Sequence, residues 1–173
     1  MIGPEITHKM ALVDYFKYIY ENTDLLWNVE AALSFFGSGK SNEGTVESKG
    51  IRRYYVEPSD KRFKSIYLNF RDKRNIQSIV WFCDSHNSER IILNDLVRIF
   101  GHYSIQNVIY DETTAFFFKP NWNPAVQYLQ TSVPQWIERR LNGTLYYRQG
   151  DEEIEVDGEQ RVLSLILKIK DSA

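Results

Sequence analysis

The chain has 173 residues, of which 43% are apolar, 14% aromatic and 25% charged, with a net charge of −2. That composition supplies a sizeable core and excludes a disordered chain, and the near-neutral balance argues against a dedicated nucleic-acid binder, whose domain is usually strongly basic. The single cysteine, Cys83, rules out an internal disulfide and a cysteine-rich metal site, which fits a reducing compartment.

The N-terminal residues lack a cationic segment followed by an apolar run, so no signal peptide is expected. No apolar run approaches the roughly 20 residues that cross a bilayer. Cytoplasmic location and no membrane association are the expectations. Residues 10–20 place Leu12, Val13, Phe16, Ile19 and Tyr20 at helical spacing. Asn22-Thr23-Asp24 breaks this pattern and offers a cap for a second helix over 25–36, with Val29, Ala32, Leu33 and Phe36 as its apolar stripe and Gly37 as its stop. The polar stretch 37–50 reads as a mobile loop.

Strand patterns follow. Residues 51–56 carry Tyr54 and Tyr55, Pro58-Ser59-Asp60 makes a turn, and 63–70 alternates with Ile66, Leu68 and Phe70 on one side. Asp72-Lys73-Arg74-Asn75 turns the chain into a β-branched and aromatic run over 76–82. The pattern then restarts with a helix over 92–100 ended by Gly101. At an offset of 64, Gly37 aligns with Gly101, Val29 with Leu93, Ala32 with Leu96, Leu33 with Val97 and Phe36 with Phe100. Strands over 106–110 and 114–119 follow. The fold class expected is α+β, an antiparallel sheet with helices packed on one face, in two tandem helix–sheet units over 10–84 and 85–170 that share one domain, 1–173. The C-terminal third adds the irregular segment 120–124, a short helix over 134–141, strands over 144–148 and 153–156, and a last strand over 161–170. The dipeptide Asp157-Gly158 predicts that 153–156 and 161–170 pair as a hairpin.

Candidate chemistry is sparse. Gly37-Ser38-Gly39-Lys40-Ser41 resembles the end of a phosphate-binding loop, but Ser34 occupies the position of the first required glycine, and a helix rather than a strand precedes it. His8, His86 and His102 are not at metal-ligand spacing. Cys83, Asp84 and His86 are close in sequence, but Cys83 reads as a small buried residue rather than a nucleophile. No enzyme activity, metal or cofactor is expected. Two charged segments remain. Residues 151–159 hold six acids and no base: Asp151, Glu152, Glu153, Glu155, Asp157 and Glu159. They read either as a solvated hairpin whose Ile154 and Val156 face inward, or as an acidic docking surface for a basic partner, with Trp122 as an aromatic anchor. Residues 52–74 hold eight bases against three acids, interleaved with Tyr54, Tyr55, Phe63, Tyr67 and Phe70. This stretch offers the alternative of a nucleic-acid-binding regulator working through strands 51–74.

A helix ending in Phe-Gly and followed by strands, over Leu96 to Gly101 and Ala32 to Gly37, resembles the tandem-repeat fold of β-lactamase inhibitory protein. The small, aromatic-rich, motif-poor chain as a whole is similar to the immunity proteins of bacterial contact-dependent inhibition and type VI secretion systems. The resemblance implies a protein that binds and neutralises one cognate toxin or effector, and it carries over no functional residue.

Overall fold

The structure, a computed structural model, describes residues 7–26, 28–42, 50–72, 74–84, 89, 91–101, 103–108, 113–134, 144–149, 152–157 and 161–170. Helix α1 (Leu12–Glu21) buries Leu12, Tyr15, Phe16, Ile19 and Tyr20, which recur every three or four residues along one stripe. Its first N–H, on Leu12, donates to Glu89 Oε1 at 3.0 Å, so a distant carboxylate stands at the positive end of the helix. The helix expected over 25–36 is split. A 3₁₀ turn (Thr23–Leu26) comes first, and α2 (Val29–Phe36) starts afresh. The break falls at Asn28, whose Oδ1 accepts the Ala31 N–H at 2.7 Å, so Asn28 rather than residues 22–24 caps this helix. Helix α3 spans Leu93–Phe100, and the Ile92 N–H donates to the Asp95 carboxylate at its first turn. Among the described residues no helix is long and apolar enough to cross a membrane.

Ten strands follow in chain order: β1 (Gly37–Asn42), β2 (Arg52–Pro58), β3 (Phe63–Asp72), β4 (Asn75–Cys83), β5 (Tyr103–Val108), β6 (Thr113–Phe118), β7 (Val126–Pro134), β8 (Thr144–Gln149), β9 (Glu152–Asp157) and β10 (Ser164–Ile169). Eight of them form one antiparallel sheet in the order β1-β2-β3-β4-β10-β7-β6-β5, and β8 and β9 form a separate pair. The architecture is α+β, with the helices on one face of the sheet.

Two expectations are corrected, and one strand is added that the sequence pattern did not mark. Residues 37–42 are a strand, not a mobile loop; pairing with β2 imposes extended backbone on a sequence with little β-propensity. Strand β7, which carries no strong periodic signal, lies inside the sheet between β10 and β6. The hairpin is β8–β9, with Gln149 opposite Glu152, and not β9 with the last strand. Strand β10 instead pairs with β4 and β7, where Leu165, Leu167 and Ile169 are buried. The helix expected over 134–141, with the Asn142-Gly143 turn after it, lies outside the described residues apart from Pro134 at the end of β7.

The strand order gives the sheet an approximate two-fold axis between β4 and β10. Each half contributes a helix and four strands, α2-β1-β2-β3-β4 and α3-β5-β6-β7-β10, with the last strand of each at the centre. The helices α2 and α3 begin and end 64 residues apart. The two glycines that follow them are required for different reasons. Gly101 has φ +81°, which favours glycine. Gly37 is extended, but a Cβ there would lie 2.7 Å from the Leu33 carbonyl oxygen.

One residue ladder crosses the covered face as Val56, Ile66, Trp81, Leu165, Thr131 and Phe116; a second crosses it as Tyr54, Leu68, Ile79, Leu167, Leu129 and Phe118. All twelve side chains are buried beneath the helices. Trp81 is central: its ring lies 5.1 Å from Phe16 and 5.8 Å from Phe36, and its Nε1–H donates to the Tyr15 hydroxyl at 3.2 Å. Burial drives the Tyr15 phenol far above its ordinary pKa, so it stays neutral.

At one end of the sheet Arg62 ties four segments together. Its guanidinium donates to Asp60 Oδ2 at 2.7 Å, to Glu89 Oε2 at 3.1 Å, to the Thr7 carbonyl at 3.0 Å and to the Met10 carbonyl, and it sits 5.7 Å from the Tyr15 ring. Burial opposes the Arg62 charge, and the two carboxylates more than offset it, raising its pKa. At the other end the Asp72 carboxylate accepts the Arg74 N–H at 2.8 Å and the Asn75 N–H at 3.0 Å. These bonds close the β3–β4 turn and hold the Asp72 carboxyl below its usual range.

Two stability predictions follow from this packing. Arg62→Met leaves Asp60 buried without its cation and should cost about 3 kcal/mol in denaturant unfolding. Thr131 sits between Leu165 and Phe116 in the apolar ladder, with a buried hydroxyl that has no hydrogen-bond partner among the described residues. Thr131→Val should therefore stabilise by about 1 kcal/mol, read as a thermal midpoint roughly 2–4 °C higher.

Candidate binding face

The opposite face of the sheet is built from the alternate residues of the same strands. Its central ladder reads Tyr55, Tyr67, Val80, Ile166, Gln130, Phe117 and Ser104 across β2, β3, β4, β10, β7, β6 and β5. A parallel ladder reads Arg53, Asn69, Ser78, Lys168 and Tyr128. No described helix packs here; the helical core residues all belong to the covered face. With strands spaced about 4.8 Å, eight of them span about 34 Å, the breadth of an ordinary protein–protein contact.

The aromatic content is concentrated in the first half. The Tyr67 ring lies 5.5 Å from Tyr55 and 5.9 Å from Phe82, the latter edge-on at 87°. Arg53 stacks over Tyr67 at 5.4 Å and donates through Nε to Asn69 Oδ1 at 3.0 Å, while Asn69 Nδ2 donates to Ser78 Oγ at 2.9 Å. Arg53 is thus fixed from two sides, so its charge is presented in one place rather than sampled over many rotamers. Phe82 is 40% exposed, and Leu163, whose carbonyl accepts the Cys83 N–H at 3.1 Å, is 42% exposed. In the second half Phe117 and Tyr128 pack edge-on at 5.1 Å, and burial raises the Tyr128 phenol.

The acidic residues singled out from the sequence lie elsewhere. Glu152, Glu153, Glu155 and Asp157 are on β9, paired with Gln149, Arg148, Tyr146 and Thr144 of β8. Asp151 and Glu159 fall outside the described residues. The pair β8–β9 is carried between β7 and β10, where the first half has only the tight turn at Asp72–Asn75. Trp122 is on the helix side. Its ring lies 5.2 Å from Phe100 and 5.7 Å from Tyr20, with Lys17 Nζ 5.4 Å above it, and it remains 38% exposed. The structure therefore does not bring Trp122 to the aromatic sheet face. That face was visible in the sequence only as a run of bases and aromatics. Register is what separates Tyr55 and Tyr67 from Tyr54, Phe63 and Phe70, which are buried on the other side.

Groups considered for catalysis are differently placed. His86 and His102 lie outside the described residues. Cys83 ends β4, and burial pushes its thiol up to about 11. The Gly37–Ser41 stretch is spent in strand β1, with the Gly37 N–H on the Leu33 carbonyl. One Ser–His contact escaped the sequence reading: Ser59 Oγ is 3.2 Å from His8 Nε2 and 3.3 Å from the Phe36 carbonyl, where it ties the β2–β3 turn to the end of α2. Among the described residues no group of three or more His, Cys, Asp or Glu side chains could hold a metal ion.

No family model, curated protein or solved structure matches this chain.

The Cys83 environment makes a simple prediction. At pH 8 a thiol titrating near 11 is about 0.1% thiolate, so the native protein should react with a thiol reagent far more slowly than the unfolded chain, and the rate should climb with pH well above 9.

Proposed function

We propose that the protein is a non-enzymatic inhibitor of the immunity type, which binds and neutralises a bacterial toxin or effector by docking it on the sheet face that no described helix covers. The observation that carries this reading is the fixed Arg53–Tyr67–Tyr55–Phe82 cluster on a broad, rigid face. Tyrosine and arginine are the residues that most often dominate binding energy at such contacts. Strands hold them in place in advance, so little side-chain ordering is left to oppose binding. The acidic segment 151–159, which contains β9, would supply a second element of opposite charge that meets a basic region of the partner and speeds its encounter.

The alternative, a nucleic-acid-binding regulator, draws on the same cations and rings. A stacking platform needs free ring faces. Here Tyr67 is flanked by two rings and has Arg53 over it, so its surface is already engaged within the cluster. That arrangement favours a protein partner.

The test is affinity purification of the intact protein from its own cells beside the double variant Arg53→Ala/Tyr67→Ala. The expected result is a stoichiometric protein partner whose toxicity the wild type suppresses. Its affinity should fall by about 30-fold or more for each cluster residue removed, at unchanged thermal midpoint. A partner held equally well by the double variant, or steeply salt-dependent binding of single-stranded nucleic acid in place of any protein, sinks the reading.

A further inference from the structure

The two open edges of the eight-stranded sheet are built in opposite ways. Strand β1 is guarded. It contains Gly37, Gly39 and Lys40, and its ladder to β2 is irregular between Gly37 and Ser41. Glycines, a lysine and a broken register are the devices that keep an edge from recruiting another strand. Strand β5 has none of them. Its sequence, Tyr-Ser-Ile-Gln-Asn-Val, contains no charge, no proline and no glycine. It pairs with β6 through six consecutive residues, Tyr103 opposite Phe118 to Val108 opposite Thr113, with no shift of register. β5 ends the strand order, so the side of its backbone turned away from β6 has no strand beside it among the described residues. A regular, uncharged strand with β-forming residues and an open backbone side is a template for strand addition.

We propose that β5 is a self-pairing edge, at which a second copy of this chain adds its own β5 antiparallel and extends the sheet across a two-fold axis. A second copy is favoured over an unrelated strand by the edge itself. In a self-pair the axis residue meets its own twin and its near neighbours lie on the diagonals, so a charge at or beside the axis would repel its copy; this strand has none. Opposed residues of an antiparallel pair share a face, so the axis must fall on a residue rather than between two. With Gln106 on the axis, Ser104 faces Val108 of the partner subunit, and the faces turned away from the described helices become continuous across the two copies. The Arg53–Tyr67 cluster lies on β2 and β3, toward the other edge, and stays open in such a pair. The inference is independent of the proposed function. A contact of one strand edge is smaller than a standard interface, so the association should be weak and concentration-dependent.

Light scattering behind size-exclusion chromatography, run over a wide concentration range, tests it. The expected result is a mass of 20.4 kDa at low concentration rising toward twice that value as concentration increases. Ser104→Lys/Gln106→Lys, which sets lysines against each other across the axis, should hold the protein at monomer mass throughout with an unchanged circular dichroism spectrum. If that variant does not fold, amide hydrogen exchange of the wild type replaces it: residues 104–108 should exchange several-fold more slowly at high concentration, while β1 is unaffected. A wild type that stays monomeric at every concentration overturns the proposal. So does a dimer that survives the folded double variant, or one that leaves the 104–108 amides unprotected.

Discussion

Trp81 lies at the seam where the two halves of the chain meet. It stands opposite Leu165 across the β4–β10 pair, with Ile66 on its other side, and the rings of Tyr15, Phe16 and Phe36 close over it. Burying this one side chain requires both central strands, α1 and α2 together. Neither half can do it alone: β4 comes from the first, β10 from the second. The antiparallel pairing of β4 with β10 fixes which residues of every other strand face the helices, because a shift of one residue at the seam would turn the whole apolar set outward. The character of the face turned away from the helices, with Tyr55, Tyr67 and Phe82 upon it, is a consequence of that register.

Local signals and long-range pairing were unequally legible. The amphipathic stripes of α1 and α3 and the alternation of β3 could be read directly, since each element states its own period. The offset of 64 residues between α2 and α3 was readable too, although the acts of Gly37 and Gly101 differ: one avoids a clash, the other adopts a left-handed backbone. What failed was pairing. Asp157-Gly158 is a strong local turn signal, yet β10 joins a strand some eighty residues earlier in the chain, Leu165 opposite Trp81, because only the centre of the sheet can bury it on the covered face. Strand β7 hides its period behind Gln127, Gln130, Thr131 and Ser132 and a register shift at Val126. For the candidate face, the composition of 52–74 marked a run of bases and aromatics. The sequence alone could not sort them by face, and it put weight on Trp122, which the fold uses to cover Phe100 and Tyr20.

Charge is used in two distinct ways. Where it is buried, at Asp60 and Arg62, it joins segments that share no strand pairing, holding the N-terminal residues, the start of α1 and the β2–β3 turn to one guanidinium. Removing one member leaves the other stranded in a poor dielectric, so such a node fixes geometry more than it adds net stability. Where charge lies open, at Arg53, it is orientated by Asn69 and Tyr67 and keeps its contact with solvent. A fixed, solvated cation beside aromatic rings loses little on meeting a partner.

The β8–β9 arm has a further meaning for how such a chain could diversify. Its two roots, the end of β7 and the start of β10, are hydrogen-bonded neighbours, with Ser132 opposite Ser164 and the Leu163 N–H on the Ser132 carbonyl. The chain leaves and re-enters the sheet at a single doorway. Lengthening a loop whose ends are already held together costs little, about 0.6 kcal/mol for each doubling. The arm is therefore a cassette: it can be shortened, extended or replaced while every rung of the ladder beneath it stays in register.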